Sequence, residues 1–393
     1  MNSQSNLHPD VGGLRLWPSS LILSLYFARR RGCKLMSTDG EKMNQQYEWI
    51  FVGKGIAILL VVILHVGDWV QLNLDYESAL YQISDKLRPL RMPLFFAISG
   101  ILAAFSFSSG GFNSIFRKCL NIYFVMVVWA AFVLLKAVVS DVDVGKGWFD
   151  YALFVLVKPH YWYLSALLIF SIVMSLAYAV GEKSKFLMIL FGLVLHFYAK
   201  EIGGLVENDS YGAFAQYKVE FAARNFVWFV VGCYCSKFLV SINESVSGKL
   251  LFLSLMCSLV FVAVSWNYQN IEWVFLLASA SWLALSFIAL PRIDHFRISK
   301  LFSYLGRRTL SIYVLHLHVL VFPKILIMSG VPFSGGEGMV VMLSVFSVMS
   351  CVMIEYLMRS GGFGVIFDGP IKKTTNIEGL FSRAKLLPNY FRR

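Results

Sequence analysis

Residues 51–66 read FVGKGIAILLVVILHV, an apolar run that must leave water and yet holds a lysine, Lys54, and a histidine, His65. Trp49 and Trp69 flank it. The twenty steps between the two tryptophans make about 30 Å of α-helix, the thickness of a hydrocarbon core. Tryptophans also suit the two membrane interfaces. Lys54 and His65 are eleven residues apart. At about 100° per residue that is about three turns plus 20°, so both side chains share one face. Ionisable groups inside a span are costly and mark functional sites. The plainer alternative is that Lys54 snorkels to the nearer interface and His65 is hydrogen-bonded within a bundle.

The rest of the chain repeats the pattern. Of 393 residues, 58% are hydrophobic and 15% charged, against about 25% charged in a soluble domain. Apolar spans lie near 51–67, 92–107, 121–139, 161–180, 186–199, 221–240, 250–265, 271–290, 309–328 and 338–358. They predict an all-α, polytopic membrane bundle of about 10 transmembrane helices, because lipid requires backbone groups to be satisfied within each segment. With the N-terminus inside, the inner segments carry 24 of the 35 basic residues and the outer side, including Arg88, Arg91 and Arg224, carries 8. That asymmetry predicts cytoplasmic N- and C-termini. The net charge of +12 therefore follows membrane topology and implies no nucleic-acid partner. Cys33, Cys119, Cys233, Cys235, Cys257 and Cys351 form no CxxC pair and read as small packing residues. No metal site is expected.

Three regions follow: a cytoplasmic N-terminal segment at 1–46, a transmembrane domain at 47–358, and a cytoplasmic basic tail at 359–393. Residues 14–28 are apolar, hold Pro18, and precede Arg29, Arg30 and Arg31, the reverse of a secretory signal. A polar run from Met36 leads into the first span. Residues 1–35 are accordingly read as a start-site artefact, with an amphipathic inner-surface segment as the rival reading.

Further motifs could carry chemistry. Arg88-Pro-Leu-Arg91 immediately precedes the apolar Met-Pro93-Leu-Phe-Phe-Ala-Ile-Ser99-Gly100. Pro93 fits the first turn of a helix. The two arginines offer planar forks for phosphate or carboxylate; the alternative is interfacial snorkelling. Ser99-Gly100 reads as close helix packing. His160-Tyr-Trp162-Tyr-Leu164-Ser165 reads as an aromatic belt. Residues 305–318, LGRRTLSIYVLHLH, take Ser311, Tyr313 and His316 into the membrane. His316 is a site candidate or a buried structural histidine. Lys136, His196 and Glu355 are further polar residues in or near spans.

Together these segments resemble the acyltransferase-3 family of integral membrane acyltransferases. The match rests on Lys54-Gly-Ile-Ala with His65 after a ten-residue gap, on Arg88-x-x-Arg91 with the PLFFxISG run, on His160-Tyr-Trp-Tyr-Leu, and on LGxxxLSIYxLH at 305–316. Lysine stands at 54 where arginine is common. The chain is most similar to short members of the fucose-type sugar O-acetylase branch.

The resemblance implies an O-acetyltransferase of the bacterial cytoplasmic (inner) membrane. It would move an acetyl group from cytoplasmic acetyl-CoA to a hydroxyl of a surface polysaccharide or sugar precursor. Its partners would be acyl-CoA, a glycan or lipid-linked sugar, and membrane lipid, with no tightly bound cofactor. A sugar hydroxyl needs a general base, and His65 is assigned that role. Asp68, three residues on, would orient its ring; an ordinary loop acid is the alternative. Lys54, Arg88 and Arg91 would bind the CoA donor, or the arginines a developing oxyanion. Trp162, Tyr313 and His316 would contact the acceptor. Lys54 is then near the inner side, and His65, Arg88 and Arg91 toward the outer, so either the acyl end of CoA threads into the bundle, the simplest reading, or an acyl-enzyme or second carrier relays the group. The rival classes are a proton-coupled transporter or flippase, and a succinyltransferase of the same fold.

Overall fold

The computed structural model describes residues 47–139, 161–181, 184–205, 212–241, 248–268, 271–293 and 296–371. Among the described residues the regular structure is all helix. In chain order the helices are α1 Glu48–Leu74, α2 Ala79–Lys86, α3 Arg88–Val139, α4 Trp162–Val180, α5 Ser184–Phe197, α6 Ala199–Gly204, α7 Gly212–Tyr234 and α8 Ser236–Ser241. They continue as α9 Gly248–Tyr268, α10 Glu272–Ile293, α11 Arg297–Arg307, α12 Thr309–Val319, α13 Val321–Met328, α14 Glu337–Ser360 and α15 Val365–Asp368.

Among the described residues, eight stretches are long and apolar enough to cross a membrane, two of them within α3 at Arg88–Phe107 and Ile115–Leu135. The sequence reading expected about ten. The other two fall on α5, only 14 residues long, and on α7, which carries Lys218, Glu220 and Arg224. Pro93 also differs from expectation. The helix begins at Arg88, so Pro93 lies inside it and withholds the N–H that the Pro89 carbonyl would receive.

Glycines set the closest approaches. At Gly55 and Gly306 an added Cβ would collide with the backbone carbonyls of Phe302 and Phe51 respectively. Helices α1 and α11 therefore cross backbone to backbone, the packing small residues permit in lipid. Glu48 fastens the crossing through Ser303 and Arg307, and the Arg307 guanidinium lies 4.1 Å from the Phe51 ring centroid. Arg308, at φ −104° and ψ 13°, ends α11 and lets α12 leave in a new direction. A second interlock joins α3 to α7, where Gly100 meets the Phe229 carbonyl and Gly232 meets that of Ala97. The expectation that Gly100 serves packing is met here.

The segment after α1 was expected as an outer loop. Instead the chain turns at Asp75, left-handed at φ 50°, and α2 folds back along α1. Gly67 accommodates the Cβ of Tyr81, and Ser84 Oγ donates to the Leu60 carbonyl at 2.7 Å. Going forward from 81 to 84 thus goes backward from 67 to 60, which makes the pair antiparallel. Glu337, at the start of α14, holds the turn. Its carboxylate accepts from Ser78 Oγ at 2.8 Å, Ala79 N at 2.5 Å, Leu80 N at 3.4 Å and Tyr76 OH at 3.4 Å.

Candidate active site

Helices α1 and α12 bring His65 and His316 together, with ring centroids 5.2 Å apart and planes inclined at 37°. Ten residues separate Gly55 from His65, about 15 Å of helix, so the pair lies deep in the bundle beyond the α1–α11 crossing. His316 is buried, and its Nδ1 faces the Ile312 carbonyl at 3.0 Å. Nitrogen facing a carbonyl oxygen must donate. The neutral ring therefore carries its lone pair on Nε2, and Nε2 is buried with no hydrogen-bond partner. Ser347 Oγ donates to the His316 carbonyl at 3.4 Å and steadies the turn.

The fold-back of α2 delivers Arg91 to the same place. Its side chain is buried, and Nη1 donates to the Ser84 carbonyl at 3.0 Å and to Ser84 Oγ at 3.2 Å. Ser84 in turn is tied to Leu60, five residues before His65, about 7 Å along the helix. The guanidinium is near enough to act on His65 electrostatically, and its Nε is buried without a partner. A cation with an unused donor near His65 can receive a negative oxygen. Arg91 is thus inside the bundle, not at an outer interface.

Arg88 is further out. It pairs with Asp85 at 2.5 Å and lies 5.5 Å from the Phe221 ring. Phe221 packs against Trp162 at 5.7 Å and Tyr217 at 4.3 Å. This gives an aromatic wall with a paired acid and base. Tyr81 of α2 lies near; burial raises its phenol pKa, and the carboxylates of Asp68 and Asp85 add to the effect.

On the other side of His316, tyrosines close the site. Tyr313 lies 6.2 Å from His316 and 5.4 Å from Tyr163. Its hydroxyl accepts from the Tyr163 backbone N–H at 3.3 Å, and Tyr163 OH shares a 2.8 Å hydrogen bond with Ser99 Oγ. Tyr161 OH meets His318 Nε2 at 2.8 Å.

The sequence candidates divide accordingly. His65, His316, Arg91 and Tyr313 converge. Trp162 and Arg88 share the aromatic wall. Lys54 is half-buried on α1, beside the Gly55 crossing and about 16 Å of helix from His65. Asp68 is exposed and makes no hydrogen bond to His65; the orienting bond expected from the spacing is not formed. Lys136 lies on α3. His196 is fully buried between the carbonyls of Arg224 and Glu272, and Glu355 pairs with Arg359 at 2.7 Å. Both belong to structural clusters away from the histidine pair. His160 lies outside the described residues. Sequence reasoning missed Ser84, Asp85, Tyr163 and Phe221. Only Tyr163 sat in a quoted motif; the others need the fold-back of α2 and the packing of α7 to be seen.

Among the described residues no group of three or more His, Cys, Asp or Glu side chains could hold a metal ion. Comparison with curated proteins and with solved structures yields no match. The family model of the acyltransferase-3 domain, described as an acyltransferase domain, matches residues 47–356. That interval runs from the start of α1 almost to the end of α14 and contains every residue of the site above, so the chain belongs to the acyltransferase-3 family of membrane acyltransferases.

Proposed function

We propose that this membrane acyltransferase moves an acetyl group from acetyl-CoA to a hydroxyl of a surface polysaccharide or sugar precursor. The observation that carries the reading is the packing of half-buried His65 against buried His316, with buried Arg91 near enough to act on His65. An alcohol is a poor nucleophile at neutral pH and needs a base shielded from water. His65 accepts the hydroxyl proton as the oxygen attacks the thioester carbonyl. The carbonyl oxygen gains charge and is met by Arg91, whose Ser84 anchor holds the guanidinium before the reaction begins.

The Glu48 end of α1, with Arg307, Arg308 and Arg359 close by, is taken as the cytoplasmic end of a bacterial inner-membrane protein, following the excess of basic residues there. Acetyl-CoA then approaches at Lys54, and its pantetheine arm threads along α1 to His65. The acceptor enters from the opposite end, past Arg88, Trp162 and Phe221. An aromatic wall beside a charged pair suits a saccharide, whose ring offers an apolar face and hydroxyl edges.

The proposal is tested by NMR of the surface glycans of cells with and without the gene. O-acetyl signals that vanish on deletion and return on complementation support it. Glycans identical in O-acetyl content would overturn the assignment of the acceptor.

A further inference from the structure

His316 carries a feature that a packing role does not need. Its Nδ1 is committed to the Ile312 carbonyl, so Nε2 is a fixed lone pair, yet Nε2 is buried with nothing to bond to. Leaving a buried acceptor unsatisfied costs on the order of 1–3 kcal/mol. Its neighbour is His65, and the ring nitrogens of His65 make no hydrogen bond among the described residues. The His65 ring is thus unfastened beside a ring whose state is set by its own helix.

Charge separates the two histidines. His316 and Arg91 both act electrostatically on His65, while the groups acting on His316 are the carbonyls of its own helix and His318. Two positive charges side by side in a low-dielectric interior repel strongly. A proton left on His65 would sit beside the Arg91 guanidinium. On His316 it would sit on a ring whose Nδ1 is already bonded to a carbonyl that welcomes the cation. Tyr313, also packed on His316, is neutral.

We propose that His316 is a second catalytic residue, and that His65 and His316 form a two-ring proton relay. This rests on the acyl-transfer reading above. As the acceptor hydroxyl attacks the thioester carbonyl, its O–H bond breaks and the proton goes to one ring nitrogen of His65. The proton on the other nitrogen of His65 passes to His316 Nε2, directly after a turn of the ring or through one bridging water. His65 stays neutral with its tautomer exchanged, and His316 becomes the imidazolium. The C–O bond forms, the C–S bond breaks, and CoA leaves as thiolate. The proton then returns through His65 to the thiolate, restoring both rings.

The test is label transfer from [14C]acetyl-CoA to the glycan fraction of native membranes bearing the full-length protein. His316→Asn keeps an N–H donor for the Ile312 carbonyl but has no base at the Nε2 position. The relay predicts that kcat falls by about 100-fold or more while KM for acetyl-CoA changes little. A His316→Asn protein within threefold of wild type would show that the ring is only an anchor and would overturn the relay. The wild-type protein gives an independent arm. Two protons in flight predict a curved dependence of rate on the deuterium fraction of the solvent, and a straight line contradicts it. Wild-type membranes that transfer no label would instead remove the acyl-transfer reading itself.

Discussion

Gly306→Ala is the smallest change that should separate the histidine pair without touching it. The added Cβ would collide with the Phe51 carbonyl oxygen and come within 2.7 Å of its carbon and 3.0 Å of Gly55 N. All three are main-chain atoms, so no side chain can turn aside, and α1 and α11 must move apart by roughly an ångström. Overpacking a core costs about 1–3 kcal/mol, and a backbone clash belongs at the upper end. The clasp from Glu48 to Ser303 and Arg307 spans the same crossing and loosens with it. Only Arg307 and Arg308 separate Gly306 from α12, so the displacement reaches His316. Misplacing a catalytic group by about 1 Å costs on the order of 100-fold in rate. The assay pairs thermal unfolding in detergent with acetyl transfer in membranes. Gly338→Ala, where an added Cβ meets nothing within 4 Å, is the control and should be neutral. A Gly306→Ala protein with the melting temperature and turnover of wild type would refute the claim that this crossing sets the site.

Other consequences are more direct. Arg91→Lys keeps the charge but loses the planar fork that holds Ser84 while leaving Nε unused; turnover should fall about 100-fold, and near wild-type rates would remove Arg91 from oxyanion binding. Glu337→Gln turns one of the acceptor oxygens that hold Ser78, Ala79 and Leu80 into a donor. Amide exchange at Ala79 and Leu80, read by hydrogen–deuterium exchange mass spectrometry, should speed up on the order of tenfold; unchanged protection would show that α2 is held elsewhere. Asp68→Asn should leave turnover within about threefold, since no hydrogen bond joins Asp68 to His65 and an exposed charge is well screened. A loss comparable to that of His65→Ala would restore Asp68 as its partner.

The membrane-bundle character of this chain was legible because a span's length and polarity are properties of contiguous residues. So was the shared face of Lys54 and His65, which needs only the helical period. His316 was legible as a buried ionisable group, but its tautomer was not, because that depends on the Ile312 carbonyl of the folded helix. The position of Arg91 could not be read. An eight-residue helix of mixed polarity, 79–86, looks like any loop, and its return along α1 depends on Gly67, Ser84 and a carboxylate 259 residues from Ser78. The same holds for Phe221 and Trp162, which meet only through the packing of α7. The Asp68 expectation failed for a related reason. Three residues of helix place it near His65 in register, but its side chain reaches solvent before it reaches the ring.

The central claim is that the paired His65 and His316 perform acyl transfer from a CoA thioester. Its most direct measurement is the initial rate of [14C]acetyl transfer from acetyl-CoA to the glycan fraction of membranes carrying wild-type protein or His65→Ala at matched levels. General-base loss predicts a fall of at least about 100-fold with folded protein retained. Equal rates for the two proteins would contradict the account.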